Sequence, residues 1–196
     1  MTVALMIIDM QIDALAALPP ECVEPLIDRQ NRLARAFRAR SLPVIMVCGE
    51  FKADLSDAFL EMRRKQVAVS IEGTPGAALH PGLERDADDI EIVKKRYSTF
   101  FRTNLDEILA NRGVTRLVLT GVNTHACIRM AAVDAYQRDL DVVIAEDAVA
   151  SYDDQHASVS LRYMTDKIAA VMSADSAIAA LPAWMTTQNS EIRQAM

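Results

Sequence analysis

The chain predicts a three-layer α/β/α fold built on a six-stranded, mainly parallel sheet. Three observations carry this. Six short runs rich in apolar and β-branched residues, at 3–8, 43–48, 89–93, 116–120, 141–146 and 167–172, are separated by stretches with helical periodicity, the pattern of strands joined by helical crossovers. The runs are largely apolar, as strands covered on both faces must be. No internal repeat, low-complexity tract or Pro/Ser-rich linker divides the 196 residues, so one domain spanning 1–196 is expected.

Taken in order, Val3-Ala4-Leu5-Met6-Ile7-Ile8 is the first strand, and it ends in Asp9-Met10-Gln11, a carboxylate set where an apolar strand reaches the sheet edge. A helix over 25–40 follows, with Leu26, Gln30, Leu33, Ala34 and Phe37 on one stripe. Strand Val44-Ile45-Met46-Val47-Cys48 buries Cys48 as core. The segment 49–80 is the least regular part of the chain, with a short helix expected within 54–65 and a turn at Gly73-Thr74-Pro75-Gly76. Long loops at a ligand-binding edge shape substrate choice, so specificity is placed here. Strand Ile90-Glu91-Ile92-Val93 runs into Lys94-Lys95-Arg96 and then Tyr97-Ser98-Thr99-Phe100-Phe101. Thr103 and Asp106 predict a capping box for the next helix, which Gly113 stops. Strand 116–120 leads through Gly121-Val122-Asn123-Thr124-His125-Ala126-Cys127 into a helix over 128–136. The fifth strand carries acids at its end, Glu146-Asp147, and Ser151 or Asp153 caps a helix over 154–165. A sixth strand, a short Ala-rich helix and a polar tail from Thr186 complete the chain.

Bulk properties narrow the function. A hydrophobic fraction of 51% with 24% charged residues excludes a disordered chain. The net charge of −6, without a basic run, argues against nucleic acid and against an anionic membrane, and points to a small-molecule partner. The apolar start lacks the charged leader of an export signal and is too short to span a bilayer, so a cytoplasmic location is expected, with assembly as a homo-oligomer. Cys22, Cys48 and Cys127 form no CxxC and fit a reducing compartment. Neither GxGxxG nor GxxxxGK[ST] occurs, which removes the main signal for nucleotide binding. His80, His125 and His156 show no HxH or HxxxH spacing, so neither metal nor cofactor is expected.

Ligands in open α/β folds bind at the carboxyl ends of the strands. There the chain offers an acid (Asp9), a cation (Lys94 or Lys95) and a thiol (Cys127) just past a strand, in the first turn of a helix. An acid to take a proton, a cation to steady an anion and a nucleophile suffice for acyl transfer without histidine. A helix N-terminus and a nearby ammonium lower a thiol pKa while Asp9 opposes them, so a coupled titration is expected, with iodoacetamide labelling Cys127 before Cys22 and Cys48.

At this point the chain resembles the isochorismatase-like cysteine hydrolases, the group of nicotinamidases, N-carbamoylsarcosine amidases and isochorismatases. The matching segments are Leu5-Met6-Ile7-Ile8-Asp9-Met10-Gln11, Gly73-Thr74-Pro75-Gly76, Val93-Lys94-Lys95-Arg96-Tyr97-Ser98-Thr99-Phe100, Thr120-Gly121-Val122-Asn123-Thr124-His125-Ala126-Cys127 and Ala145-Glu146-Asp147-Ala148, in the family's order. The resemblance implies a triad of Asp9, Lys94 and Cys127, with Lys94 preferred because it lies three residues before Tyr97-Ser98. It implies a non-proline cis peptide between Val122 and Asn123 and an oxyanion hole from the N–H groups of Asn123 and Cys127. Candidate substrate-binding residues are Gln11, Glu50, Tyr97, Phe100, Val122 and His125.

Three departures from the family pattern stand out. Asp13-Ala14-Leu15 replaces an aromatic after the first acid. Gly49-Glu50-Phe51-Lys52-Ala53-Asp54 lacks the histidines of the metal-binding nicotinamidases. The thiol that true isochorismatases often lack is kept. The implied activity is hydrolysis of a small amide or carbamoyl-type C–N bond through a thioester. Isochorismatase-type ether hydrolysis on the same scaffold, a thiol or redox protein and a binding module are the alternatives.

Overall fold

A computed structural model describes residues 2–165 and 167–186, which form one six-stranded sheet of parallel strands in the order β3-β2-β1-β4-β5-β6. The strands are β1 (Thr2–Ile8), β2 (Val44–Gly49), β3 (Ile90–Lys94), β4 (Val114–Val122), β5 (Asp141–Ala150) and β6 (Ala170–Met172). The helices among the described residues are α1 (Ile12–Leu15), α2 (Pro20–Arg38), α3 (Leu60–Lys65), α4 (Leu105–Asn111), α5 (Arg129–Tyr136), α6 (Asp154–Met164) and α7 (Ala174–Thr186).

The two faces of the sheet make two cores. On one, Leu26, Leu33 and Phe37 of α2 and Ala177 and Leu181 of α7 pack on Leu5, Ile7, Met46 and Val118. On the other, Leu105 and Leu109 of α4, Ala131 and Ala135 of α5 and Met164 of α6 cover Met6, Ile8, Val47, Leu119 and Ile144. Residues of β1 and β4 alternate between these cores, so both faces exclude water and the strands read as unbroken apolar runs. The chain moves outward from β1 to β3 and returns to β4 beside β1. That reversal is the switch point at which doubly wound sheets open a crevice, and it lies between Asp9 and Asn123.

The closeness of β1 and β4 depends on Gly121. It stands opposite Ile8 with φ +114°, and a Cβ there would lie 2.0 Å from the Ile8 carbonyl oxygen. Farther across the sheet, the β4–β5 pairing jumps from Leu119↔Ile144 to Gly121↔Val149, which throws Glu146 and Asp147 out of the ladder. Asp147 Oδ1 then accepts the N–H of Ala174 at 2.7 Å and its Oδ2 meets Arg29 Nε at 3.3 Å, tying β5 to α7 and α2.

Several boundaries differ from the sequence reading. Helix α2 begins at Pro20, which suits a first-turn position because it has no N–H to leave unpaired, and it carries Pro25 inside rather than starting there. The capping box is replaced. Asn104 is the N-cap of α4 without a side-chain bond, Thr103 Oγ1 accepts from Leu105 N at 3.3 Å, and Asp106 binds Arg138. Only Leu60–Lys65 of the 54–65 stretch is helical, because Asp54 Oδ1 captures the Ser56 N–H at 2.9 Å and makes a turn. Residues 167–169 turn back on Met164 O, so the last strand shortens to Ala170–Met172. Asp153, not Ser151, caps α6 through the His156 N–H at 2.8 Å. The tail beyond Thr186 lies outside the described residues.

Replacing Gly121 by Ala forces a methyl into the β1 backbone at a φ that L residues avoid. A loss of about 3 kcal/mol or more, read from the urea midpoint, is expected; a shift within the range of ordinary surface substitutions would show that the two strands can part without cost.

Candidate active site

Asp9 follows β1 with φ +57°, a conformation that Asp tolerates better than most residues, and its N–H bonds Val47 O at 2.8 Å. The carboxylate thereby points over the carboxyl ends of the strands, where only 7% of the residue is exposed. Lys94 ends β3, two strands from β1, and its register partner on the intervening strand is Gly49. The lysine stem passes over β2 at Gly49, and Lys94 Nζ reaches Asp9 Oδ2 at 2.7 Å and Cys127 Sγ at 3.3 Å. Gln11 fixes this crossing from behind. Its Oε1 accepts the Gly49 N–H at 2.8 Å, and its Nε2 donates to Gly49 O at 2.8 Å and Ala77 O at 2.7 Å.

Cys127 sits in a π-helical turn, Thr124–Ile128, that precedes α5, rather than in the first turn of an α-helix. The wide turn is closed by Ile128 N–H on Asn123 O at 3.3 Å and held by Thr124 Oγ1 donating to Ala150 O at 3.1 Å. Such turns recur at functional sites. The Val122–Asn123 peptide is cis.

The electrostatics correct the expected thiol. Burial, followed by the charge of Asp9, pushes Cys127 up from 9.0 to about 12, against the downward pull of Lys94. Asp9 and Lys94 already cancel one another, so ionising the sulfur as well would leave a net negative charge out of water. Burial also works against the Lys94 ammonium, but Asp9, then Cys127, more than offset it and raise Lys94. Since the thiol is uncharged near neutral pH, Asp9 is the partner that keeps Lys94 charged there. The second carboxylate oxygen, Asp9 Oδ1, is buried and has no hydrogen-bond donor among the described residues.

Around this centre the remaining candidates separate. Lys95 binds Asp57 at 3.0 Å and takes no part in the cluster. Gln11 spends its amide on Gly49 and Ala77. Glu50 lines a cavity of about 260 Å³ on the other side of β2 with Cys48, Arg85 and Glu91, which also leaves Cys48 half-buried rather than core. Phe100 is core, with the Arg138 guanidinium 4.3 Å from its ring centre, and Val122 packs wholly inside the opposite core.

Tyr97 and His125 stay partly open to solvent. Tyr97, half exposed, stacks on Phe59 at 4.7 Å, and burial followed by the nearby Cys127 raises its phenol. The His125 ring meets Tyr152 edge-on at 5.0 Å and its Nδ1 pairs with Ser151 Oγ at 2.5 Å; burial lowers its pKa, so it is neutral near pH 7. Phe59, Tyr152 and Gly49 were not anticipated. Phe59 is held by a latch in which Asp57 takes Lys95 and the Lys52 N–H while its carbonyl takes Arg96. The Asp13 that replaces an aromatic accepts the Ser70 N–H at 2.7 Å and fills the space a Cβ of Gly76 would need, which explains the glycine of the Thr-Pro turn.

The description "Isochorismatase domain" matches residues 3–176. The chain belongs to the isochorismatase family. Within it, a probable inactive nicotinamidase of Arabidopsis thaliana is 37% identical over 76% of this chain and 80% of its own. An isochorismatase family protein of Desulfovibrio vulgaris superposes with a TM-score of 0.81 at 33% identity, covering 94% of this chain and 98% of the other. A nicotinamidase/pyrazinamidase of Bacillus subtilis superposes with 0.79 at 28%, covering 88% and 100%. This isochorismatase-family hydrolase departs from metal-binding nicotinamidases in its donors after β2. Phe51 is core with Leu55 and Ile71, Asp54 is engaged by Ser56, and no group of three His, Cys, Asp or Glu suited to a metal occurs among the described residues. A metal does not fit there.

Two outcomes follow. Iodoacetamide near pH 7 labels the exposed Cys22 ahead of Cys127, and the Cys127 rate keeps climbing as pH is raised toward 12, because alkylation needs the deprotonated form; peptide mapping that finds Cys127 modified first at pH 7 would place a thiolate in the resting protein. Dialysis against a chelator leaves turnover unchanged, and a loss restored by added zinc would contradict the donor set.

Proposed function

We propose that this protein is a cysteine-dependent hydrolase of a small amide or carbamoyl-type C–N bond, acting through a thioester on Cys127. One observation carries the reading: a single ammonium, Lys94 Nζ, bridges the acid and the thiol at 2.7 and 3.3 Å while the acid keeps a buried oxygen without a donor among the described residues. An acceptor held in this way is suited to receive protons in turn from the thiol and from water, and each transfer leaves the site's net charge as it was.

In the first half-reaction the thiol proton passes to Asp9 as Cys127 Sγ bonds the substrate carbonyl carbon. The electron pair of the C=O bond collects on oxygen, which the N–H groups of Asn123 and Cys127 stabilise. As it returns, the C–N bond breaks and Asp9 protonates the departing nitrogen, giving ammonia or an amine and a thioester. Water then adds while Asp9 takes its proton, the C–S bond breaks, and the proton returns to sulfur as the acid leaves. Lys94, 2.7 Å from Asp9 Oδ2, supplies the positive charge beside the acid in each half-reaction. Tyr97 with Phe59, and His125 with Tyr152, form aromatic walls on which a planar acyl group can rest.

The test is a panel of small amides, ureido acids and nicotinamide assayed for ammonia. Cys127→Ala abolishes release while circular dichroism shows the fold intact. Asp9→Asn lowers kcat by about 10²–10⁴-fold, the size of a lost acid–base group. Undiminished release by Cys127→Ala refutes the thioester.

A further inference from the structure

Position 49 is a glycine for a reason other than backbone freedom. Gly73, Gly113 and Gly121 have positive φ, but Gly49 ends β2 in a conformation any residue could adopt. What the position supplies is the missing side chain. Apart from adjacent residues, a Cβ there would have three nearest neighbours, all polar atoms of the site: Asp9 Oδ1 at 3.4 Å, Lys94 Nζ at 3.8 Å and Gln11 Oε1 at 3.9 Å.

Each of these atoms has capacity left over. Asp9 Oδ1 is a buried acceptor without a donor among the described residues. The Lys94 ammonium has three N–H groups, of which two are directed at Asp9 Oδ2 and Cys127 Sγ. Gln11 Oε1 accepts from the Gly49 N–H and keeps a second lone pair. One donor and two acceptors converging on one spot is the complement of a single water molecule, which gives two hydrogens and accepts one.

We propose that the space over Gly49, bounded by Asp9, Lys94 and Gln11, seats the water that hydrolyses the thioester. This rests on the thioester reading. With the acyl group on Sγ, the seated water gives one proton to Asp9 Oδ1 as its oxygen bonds the carbonyl carbon. The tetrahedral adduct collapses, the C–S electron pair returns to sulfur, and the Asp9 proton restores the thiol. Gln11 is a positioning residue: it holds the second hydrogen of the water, and through both polar groups of Gly49 it fixes the floor of the seat.

The experiment uses Gly49→Ala, whose added methyl lies in ordinary contact with the neighbouring groups but occupies the seat, and the bulkier Gly49→Ser. Acylation does not use this water, whereas deacylation does. With the amide of the panel that turns over fastest, kcat and KM are therefore expected to fall together by roughly tenfold or more while kcat/KM holds, with a burst of ammonia equal to the enzyme and an acyl adduct on Cys127 by mass spectrometry. Equal falls in kcat and kcat/KM without adduct, in variants that fold, overturn the seat. Failure of the thioester reading looks different, since rapid quenching of the unaltered protein would then trap no adduct at all. Should neither variant fold, a crystal structure of the unaltered protein decides: an ordered oxygen within hydrogen-bond reach of Asp9 Oδ1, Lys94 Nζ and Gln11 Oε1 supports the seat, and its absence from well-defined density there removes it.

Discussion

The contact on which the rest of this protein depends is the buried ion pair between Lys94 and Asp9, made across an intervening strand. Desolvating both charges is costly, and the pair holds only if its geometry is kept. Much of the local architecture serves that end. The β2–β3 register sets Lys94 beside Gly49, Gln11 locks the end of β2 to β1, and the Val47 carbonyl turns Asp9 by its own N–H. Removing one partner of such a pair leaves a lone buried charge, at about 3–5 kcal/mol. The cluster is therefore a folding constraint as well as a chemical one, and it delivers the thiol to a neutral pair.

Much of this was legible in the sequence because it is local. Apolar runs bounded by turn residues located all six strands. Asp9 and Cys127, with Lys94 or Lys95, could be named because each ends or follows a strand, and the family resemblance singled out Lys94. What was not legible is what neighbouring strands decide. The role of Gly49 depends on a lysine 45 residues away in sequence, Gln11 was read as a substrate contact because its partners are backbone atoms of distant segments, and Phe100 was drawn from the site by Arg138. The state of the Cys127 thiol was misjudged because helix ends and ammonium groups are visible in a sequence and depth of burial is not. The capping box failed for a similar reason, since Asp106 had a stronger partner in Arg138 than the end of its own helix.

Membership of the isochorismatase family fixes hydrolysis as the general chemistry but leaves the substrate to the parts that vary. A relative 37% identical is named as probably inactive, so overall similarity is a weak guide to turnover. In this chain the segment between β2 and β3 stands apart from the two main cores. It brings its own small core of Phe51, Leu55, Ala58 and Ile71, and it is latched by Asp57 to the residues that follow Lys94. The Phe59–Tyr97 pair is thus attached to the same stretch of chain as Lys94.

The break in the β4–β5 ladder ties the nucleophile to the far end of the chain. Asp147, displaced by the break, holds the start of α7, and three residues later the carbonyl of Ala150 holds Thr124 in the turn that carries Cys127. Helix α7 lies on the opposite face of the sheet from α5, so the sulfur is braced from beneath by an element it never touches. The last helix is in this sense a keel rather than a cover: the turn that carries Cys127 is steadied from the side of the sheet opposite to α5.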